Sequence, residues 1–226
     1  MQRRFFHLNR KPFVFLSADG SGGKGPEEQA TLALNKIKHD LEGLGGSLDD
    51  LVRTTTFFKN QECRPAIAEV RRNMLPQATR PASSSIIVHN YLPEDTLVEI
   101  WATGILAGGK KHQKKGVEFD PPRNYLKALR VDDLLFLSGR GGDDKNIETQ
   151  TRQTLDIIGE TLAELGSSLD KLLMLTCFIK KLEWLDTVEK VARAHTHVGA
   201  LAIDLVPADE YARPEMLLEV EATAYL

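Results

Sequence analysis

Residues 41–60, LEGLGGSLDDLVRTTTFFKN, return at residues 162–181 as LAELGSSLDKLLMLTCFIKK. Ser168 answers Ser47 and Lys180 answers Lys59, each 121 residues on. The same offset carries residues 13–20, FVFLSADG, onto 134–141, LLFLSGRG, and Gln29 onto Gln150. Near the ends it slips by one, so that LVEI at 97–100 answers LLEV at 217–220. One slipped residue in about a hundred is what a loop change leaves in a duplicated globular unit. The chain therefore reads as two copies of one fold, and every site can be read twice.

Working outward, the length of 226 residues suits two domains of about 110 each. A hydrophobic content of 42% is enough for two cores, and a formal net charge of −3 gives no global pull toward nucleic acid or anionic lipid. Cys63 and Cys177 fall one per repeat at non-matching positions, which argues against a disulfide and for a reducing, cytoplasmic setting. No apolar run approaches the roughly 18 residues a membrane span needs. The opening MQRRFFHLNRKPFVFLS is basic with only a short apolar stretch, and reads as the approach to a first strand rather than a signal peptide.

The repeats are expected at 1–107 and 121–226, with a linker at 108–120. Residues 107–116, AGGKKHQKKG, are polar, glycine-bracketed and without apolar periodicity, so they read as a solvated connector or an exposed hairpin. Within each repeat the same order of elements is expected. A strand at 13–17 or 134–138 comes first. A helix follows, with Leu34, Ile37, Leu41 and Leu44, or Leu155, Ile158, Leu162 and Leu165, stepping by three and four. Gly45 and Gly166 suit the left-handed position that ends it. A second strand at 52–58 or 173–179 leads to a second helix at 64–73 or 185–195. A strand pair, 84–89 with 96–106 and 201–206 with 216–226, closes the unit. The expected class is α+β, each unit a mixed sheet with two helices on one face.

The strings SG at 138–139, QTRQTLDII at 150–158, LGSSLDKLLMLTCFIK at 165–180 and LLEVEATA at 217–224 resemble the Rid/YjgF family, the reactive intermediate deaminases related to L-PSP endoribonucleases. The resemblance covers nearly all of 124–226 and, more loosely, 5–106. It implies a chorismate-mutase-like α+β fold in each repeat, a homotrimer, ligand clefts at subunit boundaries, and neither metal nor cofactor. It also implies hydrolysis of small enamines and imines to ammonia and a 2-keto acid. In such a cleft an arginine grips the substrate carboxylate, a glutamate on the last strand directs water, and a tyrosine, a serine and an asparagine complete the wall.

Carried over residue by residue, the glutamate is Glu99 or Glu219 and the serine Ser17 or Ser138. The tyrosine is Tyr125 in the second repeat, where the first has Arg4. The asparagine position holds Ala68 or Glu189. The arginine position follows Pro81-Ala82 and holds Ser83 or Ser84, and the matching run at 199–204, GALAID, has no arginine either. Serine does not replace a guanidinium fork. Arg80 and Arg140 are the candidate substitutes. Arg80 lies about 10 Å away along an extended chain.

Other features read plainly. The run DGSGGKG at 19–25 lacks the full phosphate-loop spacing and is read as a flexible connection. His195 and His197 lack a metal-ligand set and are read as helix-end residues, Cys177 as core, and Cys63 as inert. Three functions compete. One is weak or altered imine hydrolysis through Glu219, Ser138 and Tyr125. Another is non-catalytic binding of a small, carboxylate-bearing molecule or a partner. The third is RNA cleavage, which the charge balance disfavours.

Overall fold

A computed structural model describes residues 3–8, 11–77, 79–89, 93–108 and 111–226, with side chains from residue 11 onward. Arg4 and part of the connector around 109–110 therefore lie outside the described side chains.

The chain divides into two compact units, residues 1–132 and 133–226. The first contains β1 (Arg3–Leu8), β2 (Lys11–Asp19), α1 (Pro26–Gly43), β3 (Leu51–Phe58), α2 (Arg64–Met74), β4 (Ala82–Ile87) and β5 (Val98–Ile105). It ends with β6 (Lys114–Val117) and β7 (Ala128–Val131), and the second contains β8 (Leu134–Arg140), α3 (Ile147–Glu164), β9 (Leu172–Ile179), α4 (Leu185–Thr196), β10 (Ala202–Pro207) and β11 (Leu218–Tyr225).

The local reasons are those of the pattern. Pro26 opens α1 with Glu27 and Glu28 in its first turn, where the fixed φ and the helix dipole favour them. Asn146 caps α3, its side-chain oxygen accepting from Glu148 N at 2.9 Å and Thr149 N at 3.2 Å. The stripes Leu34, Ile37, Leu41 and Leu155, Ile158, Leu162 are buried to 1% exposure or less. Gly45 and Gly166 take φ of +76° and +80° just past each helix, a region most side chains avoid. Ser47 and Asp50 then close a capping box that turns the chain into β3.

The first sheet runs β1-β2-β5-β3-β4 and the second β6-β7-β8-β11-β9-β10. Mapping β2, β5, β3, β4 onto β8, β11, β9, β10 gives the same strand order, as a duplication requires. The fold is α+β and each sheet is mixed. β3–β4 and β9–β10 are parallel pairs, while β5 and β11 are each antiparallel to both their neighbours. Parallel neighbours need a crossover, and α1 with α2, or α3 with α4, supply it on one face, each pair in mutual contact.

Two readings are corrected. The closing strands do not pair with each other. The helical crossover seats β4 or β10 at an outer edge, and β5 returns into the gap between β2 and β3, as β11 does between β8 and β9. The connector is also not wholly solvated, because its end is β6, paired antiparallel with β7. Lys114 is folded in there, its ammonium donating to the carbonyls of Asp49 and of Leu51, the latter at 2.9 Å.

No helix among the described residues is long and apolar enough to cross a membrane. No described group of three or more His, Cys, Asp or Glu side chains is placed to hold a metal ion.

Candidate functional sites, one in each unit

In the first unit, Val14, Leu16 and Ala18 on β2 and Val98, Ile100 and Ala102 on β5 join the core under α1 and α2. Strand alternation sends Ser17, Glu99 and Trp101 to the opposite face. Register then lays out a row across four strands, Ser17 beside Trp101, Trp101 beside Thr55, Thr55 beside Ser84. The sheet thus brings Ser17, Glu99 and Ser84 together on one face. Ser84 Oγ is buried there with no hydrogen-bond partner. Glu99 is committed locally, accepting from Trp101 Nε1 at 2.7 Å. The Trp101 ring, 41% exposed, packs on Phe57 with centroids 4.5 Å apart.

Arg80 is committed elsewhere. Its Nη2 meets both carboxylate oxygens of Glu118, at 3.1 and 3.2 Å, and its Nη1 donates to Gln77 O at 2.9 Å. Tyr125 is held by its own loop. Its ring meets Phe119 edge-on at 5.2 Å and its hydroxyl accepts from Arg123 Nη1 at 3.0 Å.

In the second unit, Ser138 and Arg140 on β8 lie beside β11, where Arg140 is opposite Val220, the residue after Glu219. All three side chains are buried, Glu219 at 7% exposure. Arg140 Nη1 turns back to the carbonyls of Ser138 and Gly139, at 3.2 and 3.0 Å. On the face of Glu219 the row Glu221, Thr176, Asp204 replaces Trp101, Thr55 and Ser84 of the first unit. The two faces have the same geometry and different chemistry, aromatic in one and acidic in the other.

Three residues have roles that the pattern reading did not assign. Tyr211, 2% exposed, donates its hydroxyl to Phe178 O at 2.9 Å. Burial above all, then the negative charge of Glu219, pushes the phenol pKa up and keeps it neutral. Tyr211 thus backs the strand positions that present Glu219. Gln29 and Gln150 are buried on the first helices. Gln150 Oε1 accepts from Leu217 N at 2.5 Å and Leu218 N at 3.2 Å, while its Nε2 donates to Asp144 O and Glu215 O. Gln29 does the same for Leu97 N, Gly23 O and Asp95 O. Each ties the glycine-rich loop to the approach of the glutamate strand. Their recurrence at the offset of 121 was the available signal.

The glycine-rich loop is thereby explained without a phosphate. A Cβ on Gly20 would stand 2.4 Å from Gln29 Cβ, and the amide of Lys24 donates to the Glu28 carboxylate at 2.9 Å. Asp19 is held down to about 2 chiefly by the Ser21 hydroxyl, with Lys36 adding to the effect. His195 pairs with Asp156 at 2.9 Å, and both cysteines are free and buried.

The family signature described as Endoribonuclease L-PSP matches residues 17–106 and again 116–226. The chain belongs to that family. The two L-PSP matches fall one on each repeat. No curated protein matches the chain. Among solved structures, Rv2704 of Mycobacterium tuberculosis, a YjgF/YER057c/UK114 family member, is 23% identical. It aligns over 50% of this chain and all of its own, with a TM-score of 0.46. NMB1025, a YjgF family member of Neisseria meningitidis, is 27% identical over 50% of this chain and 94% of its own, TM-score 0.45. A chorismatase aligns over 98% of this L-PSP-family chain and 79% of its own at 17% identity, TM-score 0.65. That likeness extends the fold to both repeats together.

Proposed function

We propose that this tandem member of the family is a weak or altered hydrolase of small imines or enamines, with its working carboxylate at Glu219. The observation that carries the reading is the pair of unlike faces. Glu219 is buried on the last strand and backed by the neutral Tyr211, whereas Glu99 is hydrogen-bonded to a partly exposed tryptophan. In the proposed step Glu219 takes a proton from water as the water oxygen bonds to the imine carbon. Glu219 passes that proton to nitrogen to give a carbinolamine, then relays the new hydroxyl's proton to nitrogen as the carbon–nitrogen bond breaks, and a carbonyl compound and ammonia leave. Ser138 lines the pocket in this reading, and no metal or cofactor enters it.

The rate is expected to be low because neither repeat has an arginine at the strand position that would fix a substrate carboxylate. A lost charge-assisted anchor costs on the order of a hundredfold in rate. Arg140, engaged with its own strand, is a poor substitute. The second reading is a binding module, favoured by that same gap. The proposed assembly is a homotrimer in the cytoplasm, with a small molecule as ligand and no nucleic acid.

The test is ammonia release from enamines generated by a dehydratase, with chorismate added to the panel because a chorismatase shares the fold over the whole chain. Activity that falls on Glu219→Ala and survives Glu99→Ala supports the hydrolase. Activity absent from the whole panel, with small carboxylates still bound, supports the binding module.

A further inference from the structure

Arg71, on the last turn of α2, reaches down to the helix-side face of the first sheet. Its Nη2 donates to Thr54 Oγ1 at 3.1 Å. Thr54 is 1% exposed and lies in register with Ser83 on the neighbouring strand. The Nε of Arg71 is shut off from solvent and has no hydrogen-bond partner, and the same holds for Nε of Arg80 and for Oγ1 of Thr56, two residues along β3. Among the described residues Arg71 makes no ion pair. The charged group it feels most is another cation, Arg80, which together with the larger effect of burial draws its pKa down to about 10.

A half-buried guanidinium whose Nε is shut off from water and whose Nη2 is answered by one neutral hydroxyl is a costly arrangement. Its Nε–Nη edge presents two parallel donors, the fork that a planar two-oxygen anion fits. The neighbourhood already shows such a contact, since Arg80 holds both oxygens of Glu118. Glu118 is about half exposed, so that pair is open to exchange.

We infer that the first unit carries an anion site on the helix side of its sheet, formed by Arg71 with Arg80, Thr54 and Ser83, and that its ligand is a small carboxylate. Arg71 contributes the fork, Arg80 a second positive charge, and the two hydroxyls the floor. The site is on the opposite face from Ser17 and Glu99 and does not depend on the hydrolytic reading.

The experiment measures the thermal midpoint and calorimetric binding of the full chain in sodium acetate against sodium chloride of equal ionic strength, with acetamide as the neutral control. Acetate is expected to raise the midpoint and bind in a simple isotherm, and acetamide to do neither. Arg71→Leu should weaken acetate binding about tenfold or more. It should also melt no lower than the wild type in chloride, because an uncompensated charge has been removed. Thr54→Val, which keeps shape, should weaken binding several-fold, and Glu118→Gln should tighten it by releasing Arg80. A wild type indifferent to acetate, or an Arg71→Leu protein that binds it unchanged, overturns the inference. A response to phosphate alone overturns the carboxylate assignment.

Discussion

Glu99 and Glu219 stand at equivalent places on equivalent strands and differ in what they touch. The difference comes from single positions two residues on, Trp101 in one copy and Glu221 in the other. Recurrence located both glutamates, but only the fold shows that Glu99 accepts from Trp101 and that Glu219 is buried on an acidic face. Arg71 makes the same point more strongly. The sequence reading looked for a guanidinium on the penultimate strand, where the chain has Ser83 or Ser84. The guanidinium that meets this strand pair comes instead from a helix turn, a residue that reads as surface in a polar stretch.

Lys114 likewise read as one of four solvated lysines. Burial, countered in part by Asp50 and Asp49, draws its pKa from 10.5 to about 8. The folded state therefore sheds its proton between pH 8 and 10.5, while the unfolded chain keeps it. The unfolded state binds more protons over that window, so stability rises with pH there, by at most roughly 1.4 kcal/mol per pH unit. Chemical denaturation at pH 7.5, 8.5 and 9.5 should show this rise in the wild type and a flatter profile in Lys114→Met. Parallel profiles would mean that Lys114 is not the group responsible.

At the scale of elements, the helices and their ends were legible because their causes are local. The apolar stripes of α1 and α3, Gly45, Gly166 and the Ser47–Asp50 turn each need only a few neighbouring residues. The placing of β5 and β11 was not legible. Sequence adjacency suggested a pair with the preceding strand, while the parallel crossover leaves an inner gap that only a late antiparallel strand can fill. Gln29 and Gln150 hold that late strand to the glycine-rich loop.

Replacing Gln150 with leucine leaves the amides of Leu217 and Leu218 and the carbonyls of Asp144 and Glu215 without their side-chain partners. Unmet buried groups cost about 1–3 kcal/mol each before relaxation. Gln150→Leu should therefore lower stability by roughly 2–4 kcal/mol in urea titrations. It should also speed hydrogen exchange at Leu217 and Leu218. Unchanged exchange at those two amides would show that the tie is incidental. Gln29→Leu should act in the same direction at Leu97.

At the scale of the molecule, the duplication was the most legible feature, and the shared strand order confirms it. What single-sequence reading could not supply is what covers each sheet's second face, since that depends on surfaces distant in the chain. The first unit shows Trp101 there at 41% exposure, its ring tilted against Phe57. Exposed aromatic surface of this kind is a common mark of an interface. Multi-angle light scattering at micromolar concentration is expected to return three times the mass of one chain, and a single-chain mass would end the homotrimer proposal.

The placement of the two cysteines has a practical consequence. Each unit contains one free thiol, Cys63 at 3% exposure and Cys177 at 1%, and burial raises both thiol pKa values, that of Cys177 to about 12. Neither sulfur should react with an alkylating reagent until its own half of the chain opens. Tandem copies of one fold usually confuse any bulk probe, because both contribute the same signal. Here mass spectrometry of the alkylated peptides around residues 63 and 177 should give two separate opening rates from one sample. Equal rates at both would mean that the halves open as a single cooperative body.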